Sequence, residues 1–167
     1  MPTAFYLSDG LMLIFAVTAL VGARRQDRRR IVPRWQLLWP GGAAFLSCIS
    51  LMLFPNPWHD LFSPEIQLVA LLGTIAGVAR GQFMPLGTDH NFAEVRIERG
   101  RDATWAAALL TVVAVGHTTI EMLILAVARI MPTTILLMTL LGGYLLGRSV
   151  AAFRRAYFDP HEDLRKD

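Results

Sequence analysis

Residues 103–147 read ATWAAALLTVVAVGHTTIEMLILAVARIMPTTILLMTLLGGYLLG. The stretch holds only two formally charged side chains, Glu121 and Arg129. As a single helix rising about 1.5 Å per residue, it would be roughly twice as long as the ~30 Å hydrocarbon layer of a bilayer is thick. One crossing cannot use it. Pro132, which has no N–H to donate, marks where it divides. The stretch predicts two membrane spans, 103–128 and 130–150, joined by a tight turn at 129–132.

Three further apolar runs lie upstream, at 5–23, 35–54 and 64–81. ARRQDRRR at 23–30 separates the first two and is too charged for lipid, while PNPWHDLFSP at 55–64 separates the next two with three prolines. Pro64 suits the first turn of the third helix, where a missing N–H costs nothing. The whole chain has 167 residues, a mean hydropathy of +0.44 and 17% charged residues. Soluble domains carry about 25%. The fold class expected is an all-α membrane protein: residues 1–167 form one transmembrane domain, a bundle of five transmembrane helices.

The basic residues set its orientation. Arg24, Arg25, Arg28, Arg29, Arg30 and Arg34 lie between spans one and two. Arg80, Arg96, Arg99 and Arg101 lie between spans three and four, and Arg148, Arg154, Arg155, Arg165 and Lys166 follow span five. Of the 16 lysines and arginines only Arg129 falls elsewhere. With five spans, all the rest share one side, and the positive-inside rule makes that side cytoplasmic. The N-terminus is then outside and the C-terminus, with a charged tail at 154–167, inside. Positive charges follow the first apolar run instead of preceding it, so that run is expected to stay as a span. The placement explains the basic pI without nucleic acid; the partner it implies is the lipid bilayer. Trp35, Trp39 and Trp105 fall near cytoplasmic span ends, as interface anchors do.

Residues 82–102 are the one extramembrane segment with a structural signature. From Phe92 to Glu98 the chain alternates, with Ala93, Val95 and Ile97 on one face and Glu94, Arg96 and Glu98 on the other. That is a strand period. Turn chemistry at 87–91 precedes it, and residues 82–86 are placed to pair back with Pro85 at an edge. A small cytoplasmic β-hairpin between helices 3 and 4 is expected. Arg80, closing the third span, either reaches lipid phosphate or anchors the hairpin by pairing with Asp89 or Asp102.

Two sets of residues inside the spans invite a role. Gly73, Gly77 and Gly81, and again Gly143 and Gly147, recur every fourth residue, which lets helix backbones approach closely. They serve either internal packing or a homodimer seam. The second set is ionisable, and such groups are costly in a membrane. His117 and Glu121 share a helix face at i and i+4, Asp9 lies near the outer end of span one, and Glu65 opens span three. Helix rise places Asp9 about 6 Å, Glu121 about 10 Å and His117 about 16 Å from the outer end. One reading is an outward-opening polar pocket between spans one, three and four that carries a proton or cation, since imidazole titrates near neutral pH. The other is that His117 and Glu121 hydrogen-bond each other or Thr118 and Thr119. His117 and Glu121 are also the candidates for a metal ion, with a third ligand needed from another span. No organic cofactor is expected, because haem-attachment, P-loop, dinucleotide and nucleophile-elbow motifs are absent.

The Arg-rich first loop (ARRQDRRR), the third span ending in GVARGQFMPL, and the charged segment ending in ERGRDATW together resemble small multi-pass bacterial proteins of the CcdC-like type. The likeness spans most of the chain as a layout. It implies a four- or five-span bundle in a bacterial inner membrane and brings no catalytic residues with it. The single Cys48 argues against direct thiol transfer and reads as a small packing residue. Two functions stay open: a non-catalytic accessory or regulatory subunit with a membrane-protein partner, and a small proton- or cation-linked transporter. An intramembrane enzyme ranks third.

Overall fold

The computed structural model describes residues 2–28, 31–52, 63–89, 94–97, 101–123, 131–158 and 161–162. These residues are mostly helical, with five α-helices among them: α1 (Pro2–Arg28), α2 (Trp39–Met52), α3 (Pro64–Gln82), α4 (Asp102–Leu123) and α5 (Met131–Phe158). Four short strands join one sheet: β1 (Ile31–Pro33), β2 (Leu86–Asp89), β3 (Glu94–Ile97) and β4 (His161–Glu162). A 3-10 turn, Arg34–Leu37, leads into α2.

Among the described residues three helices contain stretches long and apolar enough to cross a membrane: Leu7–Arg28, Asp102–Ile120 and Thr133–Phe158. In α2 the apolar stretch Trp39–Leu51 is shorter, and the expected span end at 53–54 lies outside the described residues. α3 has the length but carries Glu65, Gln67 and Arg80, which lower its hydropathy. The turn expected at 129–132 lies mostly outside the described residues.

Several boundaries differ from those the sequence suggested. α1 does not stop at Ala23 but runs to Arg28. Arginines near a helix C-terminus complement its dipole, and Arg25 and Arg28 occupy the last turn. The side chains of Gln26 and Asp27 are held as well: Gln26 Nε2 donates to Gln36 O at 2.6 Å, and Asp27 accepts from Thr104 Oγ1. At the other end of the chain α5 continues through Arg154 and Arg155 to Phe158, past the expected limit of 150.

The contacts fix each helix's direction. Ser47 Oγ donates to Met12 O while Trp39 lies against Gly22, and Thr111 Oγ1 donates to Ala16 O while Thr104 donates to Asp27, so α2 and α4 both run antiparallel to α1. Cys48 faces Met138 and Gly41 faces Ser149, so α2 also runs against α5. α1, α2, α5 and α4 form a ring around a core of Met12, Ala16, Ala19, Ala23, Ala43, Ala44, Ala103, Ala107, Leu110, Ala114, Met138 and Leu145. α3 stands outside this ring and packs along α5.

Small residues fill the ring and large ones cover it. Eight of the twelve core residues above are alanine. Exposed large side chains include Ile14, Val17, Val21, Phe45, Leu46, Leu68, Leu71, Leu72, Ile75, Val112 and Val115. A water-soluble protein rarely exposes so continuous an apolar surface. Small residues inside and aliphatic ones outside are the packing of helices solvated by lipid.

The expected hairpin is present as part of a larger sheet. β3 pairs antiparallel with β2, with Leu86 opposite Ile97 and Thr88 opposite Val95. The expected alternation holds where it is described: Val95 and Ile97 are buried and Glu94 is exposed. The turn, however, begins later than the composition suggested. Gly87, Thr88 and Asp89 are strand residues, and the connection falls at 90–93, outside the described residues. β1, from the arginine-rich segment after α1, pairs antiparallel with the other edge of β3, and β4, from the tail, pairs parallel with β2. The sheet order is β1-β3-β2-β4. Val32, Met84, Val95 and Ile97 pack with Leu37, Ala152 and Ala156, seating the sheet on the end of α5. Three separate connecting segments therefore meet at one end of the bundle.

Candidate functional site

Beneath the sheet lies a charged hub. Asp102, the first residue of α4, accepts from three groups: Arg148 Nε at 2.8 Å, Tyr144 Oη at 3.1 Å and Arg80 Nε at 3.2 Å. Tyr144 and Arg148 are one turn apart on α5, and Arg80 lies in the last turn of α3. One carboxylate thus ties three helices. The two guanidinium groups are unlike: the Arg148 side chain is 4% exposed, that of Arg80 is 42% exposed. Arg148 also donates from Nη2 to Met84 Sδ at 3.0 Å, in the segment that leads to β2. Arg155 extends the brace, donating from Nη1 to Gln82 O at 2.5 Å and Met84 O at 2.6 Å. These are carbonyls at and just beyond the C-terminus of α3, where a cation is favoured by the helix dipole. Arg34 lies over the Tyr157 ring, 5.5 Å from its centroid.

The opposite half holds a buried polar layer. His117 is 1% exposed, and its Nδ1 lies 2.8 Å from Thr134 Oγ1 on α5. Asp9, Ser50 and Thr118 are buried too. The antiparallel pairings of Ala16 with Thr111, and of Met12 with Ser47, carried outward along the helices, bring Asp9 level with Thr118 and Ser50. Thr118 Oγ1 donates to Ala114 O at 3.0 Å and Ser50 Oγ to Ser47 O at 2.7 Å, so each hydroxyl is satisfied by its own helix and keeps lone pairs to accept with. Polar side chains from all four ring helices thus share one level. Thr134 and Ser50 carry no sequence signal of their own; only the helix pairing singles them out.

The remaining candidates fall elsewhere. Glu121 belongs to α4, and its side chain lies outside the described residues. Glu65 is exposed in the first turn of α3, beyond Ser63, whose Oγ accepts from Ile66 N at 3.4 Å as a helix cap. Asp9 and His117 are buried, so an exposed Glu65 is not part of their buried layer. Arg80 pairs with Asp102, while Asp89 is buried in β2. Among the described residues no three His, Cys, Asp or Glu side chains gather as a metal site would need. Cys48 is buried and its Sγ donates to Met138 O at 3.3 Å.

The glycines meet each other's helices. A Cβ at Gly73 would collide with Leu140 O, at Gly77 with Tyr144 O, and at Gly81 it would lie 2.6 Å from Arg148 O. Reciprocally, Gly143 faces Ala70 and Thr74, and Gly147 faces Thr74 and Val78. Residue numbers rise together along both helices, so α3 and α5 are parallel and in contact through both glycine series. Those faces are occupied within one chain.

Comparison with family models, with curated proteins and with solved structures finds no match. The class that can be stated is therefore the one the fold defines: a helical protein with three helices able to cross a membrane.

Proposed function

We propose that the chain is a five-span protein of a bacterial inner membrane, with its N-terminus outside and its sheet in the cytoplasm, and that it is a non-catalytic accessory or regulatory subunit. The observation that supports this most is the sheet. β1 follows α1, β2 and β3 join α3 to α4, and β4 follows α5. All three segments meet at one end only if every helix runs the length of the bundle, which supports reading α2 and α3 as spans beside the other three. These same segments carry the arginines, so the cytoplasmic end is a braced, basic platform suited to a protein partner. The resemblance to CcdC-like proteins agrees with this layout.

Impermeant maleimide on intact cells tests the topology. In a Cys48→Ala background, Asn56→Cys is expected to label from outside and Glu94→Cys only after lysis. The reverse pattern, or labelling of both from outside, sinks it. Affinity purification in mild detergent tests the role: a stoichiometric membrane-protein partner is expected, and a lone protein transporting an ion would overturn it.

The buried layer supports a second reading, a proton- or cation-linked carrier using Asp9, His117 and Glu121. Ionisable groups buried among helices commonly mark ion pathways. A carrier predicts a pH-driven cation flux in liposomes that falls to the level of empty vesicles in both His117→Ala and Glu121→Gln. Absence of flux in the wild-type protein ends this reading.

A further inference from the structure

A groove of about 260 Å³ opens on the bundle's flank, beside the end that bears the sheet. One wall is α1, presenting Val17, Thr18, Val21, Gly22 and Arg25; the other is the turn into α2, presenting Trp35, Gln36 and Trp39. The two indoles meet edge to face with centroids 5.7 Å apart. Gly22 lets the indole approach: a Cβ there would lie 2.8 Å from Trp39 Cδ1.

Polarity changes along the groove. Val17, Val21 and Arg25 recur every fourth residue, so they form one stripe up the face of α1. The apolar pair lies toward mid-bundle, and Arg25 follows toward the sheet, about 12 Å along the axis from Val17 and about 6 Å from Val21. Arg24 and Arg28 flank Arg25 and are exposed. Among the described residues Arg25 has no carboxylate partner. Thr18 Oγ1 is bonded to Ile14 O at 2.7 Å. The volume is below the roughly 300–1,000 Å³ of sites for drug-sized ligands, so it suits a slender chain.

We infer that this groove binds one anionic phospholipid of the cytoplasmic leaflet, its acyl chain along Val17 and Val21 and its phosphate at Arg25. A free phosphate would leave the apolar wall and both indoles unused. A zwitterionic lipid would bring its own cation toward Arg24 and Arg28. The basic cluster therefore selects a net negative headgroup. The inference rests on the membrane reading above, and the test separates the two.

The full-length protein is reconstituted in phosphatidylcholine, and tryptophan fluorescence is quenched by lipid with brominated chains. A minor fraction of brominated phosphatidylglycerol is expected to quench several-fold more than the same fraction of brominated phosphatidylcholine. Arg25→Gln should abolish that preference. Arg154→Gln, exposed on α5, should keep it. Equal quenching of the wild-type protein by the two lipids, or a preference that survives Arg25→Gln, overturns the site. A matrix wholly of brominated phosphatidylcholine reports membrane insertion alone; failure to quench there overturns the membrane reading and the site with it.

Discussion

Asp102→Asn is expected to lower the unfolding free energy of the detergent-solubilised protein by about 3 kcal/mol, the lower end of the range for breaking a buried ion pair. The reason lies in what the carboxylate leaves behind. Arg80 is 42% exposed and can turn to water, so its pairing is worth little. Arg148 is 4% exposed and cannot. Asparagine keeps the shape and one acceptor oxygen for Arg148 Nε, Arg80 Nε and Tyr144 Oη, but it loses the charge and turns its amide N–H₂ toward another donor, Arg148 Nη2. A guanidinium stays buried with no counter-ion.

Loss of helical circular dichroism with rising dodecyl sulfate reads the effect. Arg80→Gln should cost less than about 1 kcal/mol, as exposed pairs do. Arg148→Met added to Asp102→Asn should restore much of the loss, because no buried charge is then uncompensated. A single Asp102→Asn variant as stable as the wild-type protein would show that the hub does not hold α3, α4 and α5 together. α3 should suffer most. It lies outside the four-helix ring, and its C-terminal end is held by Arg80, by Arg155 and, through Met84, by Arg148.

The sequence made some of this legible, for reasons that differ by element. Strand period is a local property, so Val95 and Ile97 could be placed on a buried face from the alternation of 92–98 alone. The strands beside it could not. β1 has three residues, Ile31–Pro33, and β4 has two, too short for any period to register. Their pairing depends on where α1 and α5 deliver them. The glycine spacing announced close helix approach, but not the partner: periodicity says that a face is smooth, not what rests on it. Arg148 illustrates the hardest case. On the sequence it is one more cationic residue after an apolar run. In the fold it is buried, because α4 begins with Asp102 across from it. Asp9 and His117 were visible as costly residues. The level they share with Ser50, Thr118 and Thr134 follows from the antiparallel registers, which no single segment encodes.

The second large effect comes from the smallest substitution. Gly77→Ala is expected to destabilise by about 3 kcal/mol, the upper range for forcing a methyl group into a packed interface. The added Cβ would collide with Tyr144 O and come within 2.8 Å of Arg148 N. Both obstacles are backbone, so no rotamer change relieves them; α3 must move off α5, and the lost contacts run along the whole parallel pair. Gly116→Ala makes the opposite prediction with identical chemistry. A Cβ at Gly116 meets nothing within 4 Å. There, alanine's better helix propensity alone acts, raising stability by about 0.5–1 kcal/mol. The same unfolding titration measures both. Opposite signs would mean that close approach, not glycine's flexibility, governs the α3–α5 seam. If Gly77→Ala instead left stability unchanged but converted a dimer to a monomer on size-exclusion chromatography, the glycines would join two copies of the chain, and the parallel pairing of α3 with α5 within one chain would have to be abandoned.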